Sequence, residues 1–138
     1  MQQSEDKLLA EALGRINPGG KFAARFLKKD VGEFDRQLPL GFDPALEHAH
    51  TLLGKLSESA EPELVEAGPD RVTLRVITRG GALGMNPVVV TVDVTRGSEG
   101  ATTLHVRAAA KEGLIKQRAG QKTAAFIATA LDGAVPSP

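Results

Sequence analysis

The chain has 138 residues, of which 41% are hydrophobic and 25% charged, so it is long enough for one globular domain with a single core. Its 17 basic residues balance 17 acidic ones, which leaves no overall charge to attract a polyanion. Cysteine is absent, which excludes disulfides, thiolate metal sites and cysteine nucleophiles. Trp and Tyr are absent too, so nucleic acid is not an expected partner.

Three helices are predicted in the first part of the chain, from apolar stripes at helical spacing and from capping or turn residues at their ends. They span residues 5–16, 21–30 and 43–57. In the third helix, Asp43 is expected to be the cap, with Pro44 in the first turn. The stretch before it, up to Gly41, reads as a connector.

Four strands are predicted next, because apolar and polar residues alternate with period two. They span residues 63–67, 71–79, 88–95 and 102–110. The connections are short, and 96–100 forms a hairpin loop, which favours an antiparallel meander. A final helix is expected to begin at Gly113 or Leu114 and to end at Leu131.

These elements predict an α+β fold, with a four-stranded antiparallel β-meander, N-terminal helices and a long C-terminal helix packed on one face. The even-numbered strand positions are apolar and form the buried face. We divide the chain into an N-terminal helical extension (1–42), an α+β domain (43–132) and a disordered tail (133–138).

The odd-numbered strand positions form a second sheet face that is cationic and rich in threonine. Its charged members are the candidate face for a polar ligand: Arg71, Arg75, Asp93, His105, Arg107 and Lys111. A hairpin centred on 96–100 places Asp93 opposite or diagonal to His105, and pairing of the strands 71–79 and 88–95 places Arg71 near Asp93. This row could be an acid–base or anion site, but paired charges on a solvated face are favoured, because no nucleophile or second carboxylate joins it.

The same face also carries Ile77, Val89 and Ala109, which suggest a surface for self-association. No cofactor or metal site is predicted. Gly113 and Gly120 lack the spacing of a phosphate-binding loop. A residual possibility is an anion held by basic residues near the start of the final helix, although a solvated helix face is favoured. The basic residues are Lys111, Lys116, Arg118 and Lys122.

Two sequence blocks carry a resemblance to known domains. One is Asn86-Pro-Val-Val-Val-Thr-Val, and the other is Ala109-Ala-Lys-Glu-Gly-Leu-Ile-Lys-Gln, ahead of the final helix. Over about residues 43–132 the chain resembles small bacterial α+β domains of unassigned function, which implies no activity. The strands followed by a long helix are also similar to the second half of helix-grip ligand-binding domains.

We therefore expect a non-enzymatic interaction or structural domain in the cytoplasm that self-associates as a homodimer. The alternative is a small-molecule carrier of helix-grip type, with an apolar or acidic ligand between the sheet and the final helix. An enzyme that uses His105 with Asp93 and a polyanion-binding protein are further alternatives. The polar, acidic start of the chain and the absence of a long apolar run argue against a membrane partner.

Overall fold

A single antiparallel sheet, with helices on both of its faces, organises the computed structural model. The structure describes residues 4–16, 28–57, 61–80, 86–112 and 118–134. In chain order the elements are α1 (Glu5–Ile16), β1 (Lys28–Leu38), α2 (Phe42–Leu56), β2 (Glu63–Ala67), β3 (Arg71–Gly80), β4 (Asn86–Arg96), β5 (Thr102–Glu112) and α3 (Ala119–Ala134). The strand order is β1-β5-β4-β3-β2, and every neighbouring pair is antiparallel.

The predicted α+β class, antiparallel sheet and C-terminal helix are confirmed, but the described part of the sheet has five strands rather than four. The additional strand, β1, occupies residues for which a helix up to Asp30 and a connector up to Gly41 were predicted; residues 21–27 lie outside the described ranges. β1 pairs with β5 along its whole length, so that the backbone groups on its inner edge are satisfied by a strand distant in sequence.

Two predicted helix starts are also wrong. α2 begins at Phe42 with Gly41 as its N-cap, and no side chain caps it; Asp43 lies in the first turn instead. There a carboxylate still interacts favourably with the positive end of the helix. α3 begins at Ala119 rather than near Gly113, and residues 113–117 lie outside the described ranges.

The even-numbered face of the sheet forms the main core with α2 and α3. Val88, Val90 and Val94 have no exposed surface, and the two helices contribute Leu53 and Ile127, which are each 1% exposed. The alternation therefore places the apolar side chains where the helices cover them, as predicted. The predicted division of the chain into a separate N-terminal extension (1–42) and an α+β domain (43–132) stays a prediction.

The odd-numbered face is covered in part by α1, which packs against β4 and β5. Leu9 of α1 is completely buried against Val89 and Ala109, with Val31 and Ile77 packed at the edge of this second apolar cluster. Both faces of the sheet thus have an apolar contact with a helix.

The start of α3 crosses β1 and β5 at very short range. A Cβ atom built on Gly120 would lie 2.1 Å from the carbonyl oxygen of Asp30 and 2.8 Å from that of Ala108. A Cβ on Gly32 would lie 2.7 Å from the Cβ of Ala124 and 2.8 Å from the Cα of Gln121. The two glycines are required because the backbones of the helix and the strands leave no space for a side chain.

Substitution of Gly120, where α3 crosses the sheet, should lower the stability of the protein. We expect Gly120→Ala to lower the free energy of unfolding by about 2–3 kcal/mol, because the added methyl group can only be accommodated if the helix moves away from the sheet. The matched control is Gly54→Ala in α2, where an added Cβ would have no neighbour within 4 Å. The control should raise stability by about 0.5–1 kcal/mol through helix propensity. Urea unfolding measures both, and equal effects would contradict the close crossing.

Candidate functional site

The sheet register places Asp93 opposite His105, as expected. It also places Thr91 opposite Arg107 on the same face. Nη2 of Arg71 is 3.2 Å from Oδ2 of Asp93, so the expected proximity of these two residues is also confirmed. The hairpin loop was thus sufficient to fix the register of β4 against β5.

His105 nevertheless takes its partners from β1 rather than from Asp93. Its Nδ1 is 2.7 Å from Oδ1 of Asp35, and its Nε2 is 3.0 Å from Oε2 of Glu33. Asp93 instead accepts a hydrogen bond from the hydroxyl of Thr73 and pairs with Arg71. The predicted row is therefore divided into two separate groups of charges.

The two carboxylates determine the protonation of His105. The hydrogen bond to Asp35 raises the pKa of His105 above its ordinary value; partial burial opposes this, and the bond to Glu33 raises it further. In the imidazolium form both ring nitrogens donate, one to each carboxylate. This arrangement stabilises the charged imidazolium of His105 and does not leave a neutral imidazole free to act as a base.

Arg107 connects this group to the N-terminal helix. Its Nη1 donates to Oε1 of Glu33 at 2.5 Å, and its Nε and Nη2 donate to the carboxylate of Glu5 at 3.0 and 3.2 Å. Burial opposes ionisation of Glu5, but the bonds from Arg107 and Lys29 outweigh it and lower the pKa of that carboxyl. Glu5 therefore remains charged beside the sheet.

A second contact of the same kind involves Lys29 at the start of β1. Its Nζ lies 3.0 Å from Oε1 of Glu5 and 2.8 Å from Oδ1 of Asp6. Nζ of Lys111 is 4.0 Å from the same Asp6 oxygen. Carboxylates from α1 and β1 thus compensate the positive charge of the basic residues on the odd face. The role of this face in binding a polar ligand stays a prediction.

The apolar part of the odd face is not available as a free surface. Val89 and Ala109 have no exposed area, because Leu9 of α1 lies on them. Self-association through these residues and Ile77 would require α1 to move away.

The backbone N–H groups at the start of α3 are bound within the chain. Those of Arg118 and Ala119 donate to the buried carboxylate of Glu112 at 2.8 and 3.0 Å. The N–H of Gln121 donates to Oδ2 of Asp30 at 2.9 Å, and its side-chain amide donates to Oδ1 at 2.6 Å. Two carboxylates of the protein itself, which the sequence did not indicate, therefore occupy the place where an anion was left open as a possibility.

Among the described residues, the interior between the sheet and the two core helices is almost filled. The cavity there has a volume of only about 10 Å³ and lies between α2, α3 and the middle of the sheet. A ligand fully enclosed in this space would need the helices to move.

Two larger grooves open at the surface, each of about 300 Å³. The first, which we name the α3 groove, lies between the sheet and the final helix. It is lined by Leu56, Thr78, Arg79, Ala119, Lys122, Thr123 and Phe126. The second, the β2 groove, lies between α2 and the edge of the sheet. It is lined by Asp43, Leu46, Glu47, His50, Leu64, Val72 and Leu74.

No group of three or more metal-ligating side chains occurs within the described ranges. No helix there is long and apolar enough to cross a membrane. Among the described residues, the two grooves offer space for another molecule.

No family model matches the chain, and no curated protein matches it. Among solved structures, the Mll3558 protein from Rhizobium loti is similar at 13% identity and a TM-score of 0.48, over 78% of this chain and 97% of that one. A START superfamily protein from Mycobacterium smegmatis is similar at 9% identity and 0.42, over 76% and 96%. The Zhui aromatase/cyclase from Streptomyces sp. R1128 is similar at 10% identity and 0.32, over 77% and 86%.

These similarities are consistent with the distant resemblance to helix-grip domains that the sequence indicates. At such low identities and TM-scores, the likeness transfers neither a ligand nor an activity to this chain. Any function has to be argued from the grooves and charges described above.

His105 gives a prediction about pH. Since its pKa is raised in the folded protein, its stabilising effect is complete below the ordinary histidine pKa of about 6.5 and is lost as the pH rises through the folded value. Solvent screening of this exposed group keeps the effect below about 1 kcal/mol. Unfolding free energies of His105→Gln should fall less between about pH 6 and 8 than those of the unmodified protein. Asp35→Asn should also reduce the slope, and an unchanged slope in both variants would contradict the assignment.

Proposed function

We propose that the protein binds a small molecule with an aromatic, apolar body and an acidic group, held in the α3 groove. The observation that carries this proposal is Phe126, which lies in the groove and leaves 58% of its surface exposed. An exposed aromatic side chain at a concave surface is a typical contact for an apolar ligand.

The polar lining of the groove supports an acidic group on the ligand. Lys122 lies one helical turn before Phe126, so the two side chains share a face of α3. Arg79 lines the groove from the end of β3, and the hydroxyls of Thr78 and Thr123 add hydrogen-bonding groups. No carboxylate is among the lining residues in the described part of the chain.

The volume of the groove also fits this proposal. About 300 Å³ is at the lower end of the range for small-molecule sites, and the almost filled interior directs a ligand to this opening instead. Binding without chemistry is proposed, because His105, the candidate for acid–base work, is held by carboxylates and lines neither groove.

Self-association as a cytoplasmic homodimer, the first expectation from the sequence, stays a prediction. A dimer that buried the exposed Phe126 would compete with a ligand for the same surface. The test of the α3 groove therefore has to include the oligomeric state.

Fluorescence titration with 1-anilinonaphthalene-8-sulfonate, an aromatic anion, tests the α3 groove. We expect Phe126→Ala to weaken binding about five- to thirtyfold through lost aromatic contact, and Lys122→Gln to weaken it about two- to fivefold at low salt. The matched control is Lys7→Gln, an exposed lysine on α1 at the other face of the sheet. The neutral analogue N-phenyl-1-naphthylamine should be insensitive to Lys122→Gln.

Unchanged affinity in Phe126→Ala would contradict the proposed site. Light scattering tests whether Phe126 belongs to a dimer interface rather than to a ligand site. A dimer that Phe126→Ala converts to a monomer would assign this surface to self-association instead.

A further inference from the structure

The β2 groove has an apolar floor provided by the edge of the sheet. Leu64 of β2 lies opposite Leu74 of β3 in the sheet register, and both face the same side. Leu74 and Val72 are almost buried, but Leu64 leaves 53% of its surface exposed in the groove. Together with Leu46 of α2, these side chains offer a continuous aliphatic contact surface.

The wall on the α2 side carries negative charge. Asp43, Glu47 and His50 are spaced by four and three residues, so they lie along one side of the helix. Both carboxylates are exposed, and within the described residues neither forms an ion pair or a side-chain hydrogen bond. No lysine or arginine of the described chain lines this groove.

The neighbouring strand does not neutralise these carboxylates. The charged residues of β2 are Glu63 and Glu66, which lie opposite Arg75 and Thr73 and so face the other side of the sheet. The groove thus combines an aliphatic floor with two exposed carboxylates, for which the described residues provide no ion-pair or side-chain hydrogen-bond partner. This charge distribution is complementary to a cation, in contrast to the α3 groove.

We propose that the β2 groove binds a small aliphatic amine, independently of the ligand of the α3 groove. The ammonium group lies between Asp43 and Glu47, and the hydrocarbon chain lies on Leu64 and Leu74. An ammonium group can donate up to three hydrogen bonds, which suits two neighbouring carboxylates.

NMR titration of the full chain with octylamine tests this site. We expect the largest amide shifts at Leu46, Leu64 and Leu74, and an affinity that rises about fourfold for each methylene added from hexylamine to octylamine. Octanoate, which has the opposite charge, should not bind here.

The double variant Asp43→Asn/Glu47→Gln should weaken octylamine binding about three- to tenfold at low salt. Leu64→Ser should flatten the dependence on chain length, and because Leu64 is exposed it should not unfold the protein. The matched control is Glu99→Gln, an exposed carboxyl in the β4–β5 hairpin.

Shifts confined to residues of the α3 groove would overturn the proposal, as would equal binding of octanoate or an unchanged affinity in the double variant. Light scattering at the concentration of the titration identifies one further outcome. A dimer disrupted by Leu64→Ser would mean that a second copy of the chain, not an amine, occupies the groove. Failure of the α3 groove to bind its own probe would leave these results unaffected.

Discussion

The first turn of α3 crosses β1 and β5 at backbone contact distance, because neither Gly32 nor Gly120 carries a side chain. The crossing is held by the carboxylates of Asp30 and Glu112, which accept hydrogen bonds from the N–H groups at the helix start. Such bonds are strong because the acceptor is charged and lies at the positive end of the helix. Among the described residues, the interior cavity between this helix, α2 and the sheet has a volume of only about 10 Å³. The two open grooves are the larger spaces that the described residues line here.

On the opposite face, apolar burial and ion pairs together hold α1. Complete burial of a leucine such as Leu9 contributes roughly 1.5–3 kcal/mol. Partly exposed ion pairs such as those of Glu5 with Arg107 and Lys29 contribute up to about 1 kcal/mol each. The Leu9 contact therefore contributes more than any one ion pair, and the ion pairs of α1 together contribute a comparable amount. The carboxylates also determine which charges of the sheet are compensated.

Strands β2 to β5 could be predicted because their alternation is a local signal, but β1 could not. Its 11 residues contain only Val31, Phe34 and Leu38 as large apolar side chains, and Gly32 interrupts the pattern. Contacts with distant parts of the chain explain both the scarcity of apolar residues and the glycine. Gly32 leaves space for α3 to pack closely, and the carboxylates of Glu33 and Asp35 bind basic side chains of β5. A strand whose composition is set by distant partners gives little periodicity of its own.

The grooves were also only partly predictable. Phe126 lies outside the buried stripe of Ala124, Ile127 and Leu131, so its exposure could be inferred from helical spacing alone. What it faces depends on how α3 packs on the sheet, which no local pattern contains. The charge at each groove likewise could not be predicted from the composition of the chain. A chain with 17 residues of each sign suggests no class of ligand, yet folding places basic residues at one groove and carboxylates at the other. Since exposed charges act over about one Debye length, roughly 10 Å, this local distribution rather than the net charge determines which ions each groove prefers.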